Sequence, residues 1–186
     1  MENIFITIEG IDGAGKSTIV SMLAEKMLAA YIKTPAERFS DMRQRIESHG
    51  SIEEKYAFYL YSLEQQQDEI KSLLEKQSVI CDRYIHSTIA YQWPDTKPLP
   101  TDIHNLFPEL IWPHRSILLT VNKDVARERI AWREKKTGVV TATDHNWLLL
   151  DKAHHRFLSM PDLIQIDTSE KTQEQVCDQI LSELME

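Results

Sequence analysis

The segment Gly10-Ile11-Asp12-Gly13-Ala14-Gly15-Lys16-Ser17 constrains this chain more than any other. Its glycines let the main chain curl into conformations closed to other residues, so that successive N–H groups can point into one concavity. Before it stands Ile4-Phe5-Ile6-Thr7-Ile8, a β-branched and aromatic run that reads as a buried strand. After it, apolar side chains at Ile19, Leu23, Met27 and Ala30 follow a helical spacing. The turn therefore lies at a helix N-terminus, where unpaired N–H groups and the helix dipole both favour an anion. A chain that opens with strand, glycine turn and helix needs further strands to bury the first.

The remaining sequence supplies them. A weak strand through Tyr31 and Ile32 ends before Pro35, Val79-Ile80-Cys81 ends at Asp82-Arg83, and two more strands run from Ser116 to Val121 and from Leu163 to Asp167. Helices intervene. Ser51-Ile52-Glu53-Glu54 is a capping-box pattern and predicts one long helix to about Lys76. Asn122 caps another, with Asp124 near its positive end, and Thr172 to Gln175 caps the last. The stretches from Trp93 to Pro100 and from Glu134 to about His145 read as irregular. No repeat and no linker divides the chain, so residues 1–186 read as one domain. The expected fold class is α/β: a three-layer sandwich with a central parallel sheet of about five strands flanked by helices. Ligands in such folds bind beyond the carboxyl ends of the strands.

Composition removes several function classes. Lys and Arg number 21 against 29 Asp and Glu, a net charge of −8 that disfavours general binding to nucleic acid or to an anionic membrane. The longest apolar runs, such as Trp147 to Leu150, fall far short of a membrane span. The first residues enter strand-like sequence directly, and Cys81 and Cys177 show no metal-ligand spacing, so the chain reads as a cytoplasmic domain with two buried thiols.

Gly10 to Ser17 fits G-x-x-x-x-G-K-[ST] in full, the P-loop pattern of the P-loop NTPase fold. In that chemistry the loop from Gly10 through Asp12, Gly13, Ala14 and Gly15 wraps ATP, Lys16 reaches its β- and γ-phosphates, the Ser17 hydroxyl ligates Mg²⁺, and Thr18 adds a hydrogen bond to the phosphate chain. Asn122-Lys123-Asp124 brings its aspartate one position too early for a guanine-reading element, and no strand ends in the Asp-Glu of a motor ATPase.

A second motif follows some seventy residues later: Asp82-Arg83-Tyr84, then Ser87, then Ala90-Tyr91-Gln92. With Glu9-Gly10-Ile11-Asp12-Gly13-Ala14-Gly15-Lys16-Ser17 it resembles the thymidylate kinase family of nucleoside monophosphate kinases. The resemblance implies Mg-dependent transfer of the ATP γ-phosphoryl group to a nucleoside monophosphate, dTMP in the family, with small nucleotides as partners and a homodimer as the assembly. It implies that Asp12 meets the acceptor sugar 3′-hydroxyl, that Asp82 acts through the Mg²⁺ shell, and that Arg83 holds the acceptor phosphate. It further places Tyr91 against the sugar, Gln92 in the acceptor pocket, and Phe58 where the family stacks a ring on the base. Pro35-Ala36-Glu37-Arg38 is similar to a family element that grips the acceptor phosphate, which makes Arg38 the expected grip, with Arg43 and Arg45 as alternatives.

Two departures stand out. The family reads thymine with an arginine shortly after the stacking aromatic, yet none occurs between Arg45 and Arg83, and Ser62 or a nearby glutamine occupies that region. Catalytic arginines lie in the mobile lid when the P-loop lacks one, yet none occurs between Arg133 and Arg156. Arg129 and Arg133, at i and i+4 before a lid at about residues 134–145, are therefore expected to stabilise the donor phosphates or the transition state. Two rival functions are a deoxynucleoside kinase and a non-catalytic ATP-binding protein.

Overall fold

In a computed structural model, which describes residues 2–141 and 143–185, the strands are β1 (Phe5–Glu9), β2 (Ala30–Lys33), β3 (Val79–Asp82), β4 (Arg115–Thr120) and β5 (Leu163–Asp167). They form one sheet in the order β2-β3-β1-β4-β5, and every neighbouring pair is parallel. All five residues of β1 and all four of β3 are buried, as parallel strands covered on both faces must be. β2 lies at an edge and buries only Ile32, which is why its apolar run is so short.

The helices are α1 (Lys16–Met27), α2 (Ser40–His49), α3 (Ile52–Glu64), α4 (Gln67–Leu74), α5 (Ile85–Gln92), α6 (Ile103–Leu106), α7 (Lys123–Thr137), α8 (Trp147–Leu158) and α9 (Gln173–Glu183). α1 packs on β3 and α9, while α5 packs on α3 and α8. The three predicted caps form. Ser51 and Thr172 complete capping boxes with Glu54 and Gln175, and the Asn122 side chain accepts from the Asp124 N–H at 3.0 Å. Both cysteines are free and buried.

Two elements depart from expectation. The long helix predicted from Ser51 to Lys76 breaks at Gln65-Gln66 into α3 and α4. Gln66 is 1 % exposed there, and its amide accepts from the Ala36 N–H at 3.0 Å and donates to the Lys33 carbonyl at 3.2 Å. The break turns a side chain inward to tie down the segment after β2. Helix α2 has no buried residue, so the apolar periodicity that reveals a helix in sequence is missing from it. The stretch read as irregular from Glu134 begins later, because α7 continues to Thr137 and ends on Gly138 at φ +69°, a left-handed C-cap.

Candidate active site

A cleft of about 960 Å³ opens at the carboxyl ends of β1, β3 and β5. One end is built mostly from main chain. Gly13 and Gly15 adopt φ of +84° and +93°, where side chains are strained. A Cβ on Gly13 would stand 2.7 Å from the Ala126 carbonyl oxygen, so the loop passes against α7 only because this residue has none. Gly15 leads into α1, and the loop bends around its amino end. Lys16 is buried beside this loop. Its ammonium donates to the Ile11 carbonyl at 2.9 Å, and burial, reinforced by the nearby Arg83 charge, pulls its pKa down to about 8.

Ser17 and Asp82 meet at the floor. The Ser17 hydroxyl donates to Asp82 Oδ2 at 2.8 Å, and Asp82 Oδ1 is buried with no hydrogen-bond partner. A hydroxyl and an unsatisfied carboxylate oxygen are hard donors suited to a magnesium ion that takes its remaining ligands from phosphate and water. Among the described residues no cluster of three or more His, Cys, Asp or Glu side chains offers an alternative metal cage.

The other end is built from side chains. Arg83, in the turn between β3 and α5, has φ +70°, and its guanidinium reaches three groups: the Gly10 carbonyl at 3.2 Å, the Ser87 hydroxyl at 3.4 Å and Asp12 Oδ1 at 2.5 Å. It also stacks on the Tyr91 ring at 5.1 Å. Burial works against the Arg83 charge, but Tyr91, Asp12 and Asp82 around it more than compensate and hold its proton. Asp12 joins the two ends. Burial pushes its carboxyl up, yet Arg83 and Lys16 prevail, with a bond from Thr143, and hold it well below the usual carboxylate range.

Thr141 and Thr143 reach Asp12 from beyond α7. Thr143 and Thr141 both donate to Asp12 Oδ2, Thr141 at 3.4 Å. Asp144, 1 % exposed, accepts from Arg133 and from the Thr141 N–H at 2.6 Å. Arg133 thus faces the cleft while anchored from behind. Ala142, within the expected lid, lies outside the described residues. Arg129 braces the loop: it donates to the Gly13 carbonyl at 3.3 Å and to the Thr168 hydroxyl and carbonyl at 2.9 and 2.6 Å.

Of the residues singled out in sequence, Asp12 to Thr18, Asp82, Arg83, Tyr91, Gln92, Arg129 and Arg133 line the cleft, and Gly10 touches it through Arg83. Arg38, its alternative Arg45 and Phe58 do not line it, which corrects the expectation for them. Arg38 points away, donating to Glu69 at 3.1 Å and to the Gln65 carbonyl at 2.7 Å. The break between α3 and α4 supplies those acceptors, and Arg43, one turn into α2, lines the cleft instead. Phe58 is buried at 6 % exposure between Phe39 and Tyr59, with ring centroids 6.5 and 5.1 Å away, and its neighbour Tyr59 takes the cleft-facing position. Ser62 is fully buried and donates back to the Tyr59 carbonyl at 2.8 Å, so it reads no ligand. Sequence reasoning also assigned no individual role to Glu47, Tyr59, Thr141 and Thr143, which line the cleft. Their stretches carry no motif, and only the fold brings them to the cleft.

A main-chain anion cradle and a guanidinium grip, joined by one aspartate at the carboxyl edge of a parallel sheet, define a P-loop nucleotide-binding protein of the phosphotransferase type. The family model for thymidylate kinase matches residues 8–180. The chain belongs to the thymidylate kinase family. It is 28% identical to a probable thymidylate kinase of Methanococcus maripaludis, over 99% of this chain and 96% of that one. It is 30% identical to a thymidylate kinase of Brachyspira hyodysenteriae, over 100% of this chain and 95% of that one. The solved thymidylate kinase from Candida albicans, 24% identical, superposes with a TM-score of 0.77 over 99% of this chain and 92% of that one, which shows the shared fold.

Proposed function

We propose that this chain is an ATP-dependent nucleoside monophosphate kinase that phosphorylates dTMP to dTDP. Family membership favours this reading over a deoxynucleoside kinase and over a non-catalytic ATP-binding protein. The observation that carries it is the pairing of two differently built anion grips in one cleft, the loop with Lys16 and the Arg83 guanidinium, with Asp12 between them.

The residues divide the work by position. The amides of residues 13–18 and Lys16 hold the donor β- and γ-phosphates, and Arg129 keeps the loop braced against the end of β5. Arg83 receives the acceptor phosphate, with Arg43 beside it. Tyr91 and Gln92 flank the acceptor sugar and base, and Asp12 takes the sugar 3′-hydroxyl in exchange for the threonine hydroxyls that now occupy it. Mg²⁺, when bound, neutralises charge on the β- and γ-oxygens, and Ser17 and Asp82 would hold it. Arg133 stabilises charge on the transferring group. Catalysis is positioning and charge stabilisation, with no covalent enzyme intermediate.

Residues 134–145 serve as the lid of a single kinase domain and exclude water, since an open cleft would hydrolyse ATP. A homodimer in the cytoplasm is the expected setting. Among the described residues no helix is long and apolar enough to cross a membrane. The test is a coupled ADP-release assay over nucleosides and nucleoside monophosphates. Turnover with dTMP supports the reading. Turnover with thymidine alone, or with no acceptor, overturns it.

A further inference from the structure

Behind the cleft, in the interior, lies a carboxylate that neither grip uses. Glu9, at the end of β1, is 0 % exposed. Its Oε1 accepts from the Tyr84 N–H at 2.8 Å and its Oε2 from the Ser87 hydroxyl at 2.5 Å. Ser87 Oγ accepts in turn from Arg83 Nη1. Glu9 therefore clamps the turn that carries Arg83 on the far side of that residue, through one main-chain and one side-chain donor. Arg83 needs such a clamp, because φ of +70° is a conformation that a non-glycine residue keeps only when its surroundings enforce it.

A carboxylate removed from water needs a cation close by. Asp12 already pairs with Arg83 and Lys16, at 2.5 and 3.8 Å, whereas among the described residues no lysine or arginine forms an ion pair with Glu9. His86 stands where that charge can be balanced. It is 0 % exposed, with Nε2 2.7 Å from Asp162 Oδ2 and Nδ1 3.7 Å from Glu9 Oε1. Nδ1 makes no hydrogen bond, so its contact with Glu9 is ionic. The charged groups acting on the ring are Asp162, from the turn before β5, and Glu9, from β1; Trp112 covers it edge-on at 6.2 Å. An imidazole with a carboxylate before each nitrogen is an imidazolium.

We infer that His86 is a positioning residue for the acceptor phosphate: as an imidazolium between Asp162 and Glu9, it fixes the Glu9 carboxylate and, through Ser87 and the Tyr84 N–H, the aim of Arg83. The inference rests on the phosphotransfer reading above. His86 touches no substrate. Burial pushes its ring toward the neutral form, but the Asp162 hydrogen bond and the Glu9 carboxylate prevail and raise its pKa to about 9. The raised value sets the sign: the ring stays charged below about pH 9, and the clamp loosens as pH rises through it.

Two measurements test this. Long-range ¹H–¹⁵N spectra of histidine-labelled protein, with His86 assigned by the signals missing from His86→Gln, are expected to show both ring nitrogens protonated at pH 7 and a transition near 9. In steady-state kinetics His86→Gln is expected to raise the KM for dTMP about tenfold while the KM for ATP and kcat stay within about twofold. Asp162→Asn, at a half-exposed side chain, is expected to raise the dTMP KM about threefold with an unchanged melting temperature. Above pH 9 the dTMP KM of the wild-type protein is expected to climb toward the value of His86→Gln, which itself stays flat. A neutral His86 at pH 7 overturns the inference, as does an unchanged dTMP KM or an equal rise in both KM values. Absence of dTMP turnover in the wild-type protein overturns the phosphotransfer reading itself. The ring's charge state, read without substrate, still decides whether Glu9 has its cation.

Discussion

On the proposed function, the donor end and the acceptor end of the cleft are made of different materials. The donor end is nine consecutive residues, Gly10 to Thr18, whose main chain forms the surface. The acceptor end takes Asp12 from the loop after β1, Arg43 and Glu47 from α2, Tyr59 from α3, and Arg83, Tyr91 and Gln92 from the turn after β3 and from α5. A cradle of amides tolerates change at most side chains but not at its glycines and lysine. A pocket of distant side chains depends on how each helix packs. The lesson is that the two substrates of one reaction are held by parts with different sensitivities, and single substitutions can separate them.

The largest separation is expected at the donor end. Lys16→Ala removes the cation beside the β- and γ-phosphates and is expected to lower kcat about 10³-fold, while dTMP binding measured by calorimetry is preserved. Equal loss of dTMP affinity would break the division into two ends. Next comes Arg83→Ala, expected to lower kcat/KM for dTMP about 10²-fold while the KM for ATP stays within about threefold. If acceptor kinetics are unchanged, the assigned role of Arg83 is wrong.

A smaller, graded effect follows from Lys16 titration. Its pKa in the folded protein is lowered to about 8, so its charge is present below that pH and lost above it. The kcat/KM for ATP is expected to fall up to tenfold per pH unit above about pH 8, at constant free Mg²⁺. A flat profile to pH 9.5 would show that the loop amides carry the donor without the lysine charge. The smallest effect sharpens the acceptor boundary. Arg38→Ala removes an exposed pair with Glu69 and is expected to change dTMP KM by less than about twofold and stability by about 1 kcal/mol or less. Arg43→Ala in parallel is expected to exceed it.

The fold was largely legible in the chain. The inner strands appear as short apolar runs because a parallel sheet buries both their faces, and three helix starts appear as caps because capping is local chemistry between residues two or three apart. The break at Gln65-Gln66 was not legible. It exists to satisfy Lys33 and Ala36, some thirty residues away. Arg38 and Phe58 lie off the cleft for the same reason. Their motif neighbourhoods looked right, but α2 and the split helix turned Arg43 and Tyr59 to the cleft in their place.

What the sequence determined by itself was every feature built from neighbouring residues: the glycine loop, its lysine, the caps and the succession of the five strands. Steric freedom at a glycine and a hydrogen bond across one helical turn depend on nothing further away. Tertiary structure alone decided which side chains share the acceptor pocket, which carboxylate anchors Arg133, and that His86, Glu9 and Asp162 meet in the interior. Those meetings depend on the packing angles of helices and strands set by the whole core, and a buried charge is paired only by whatever that packing brings within reach.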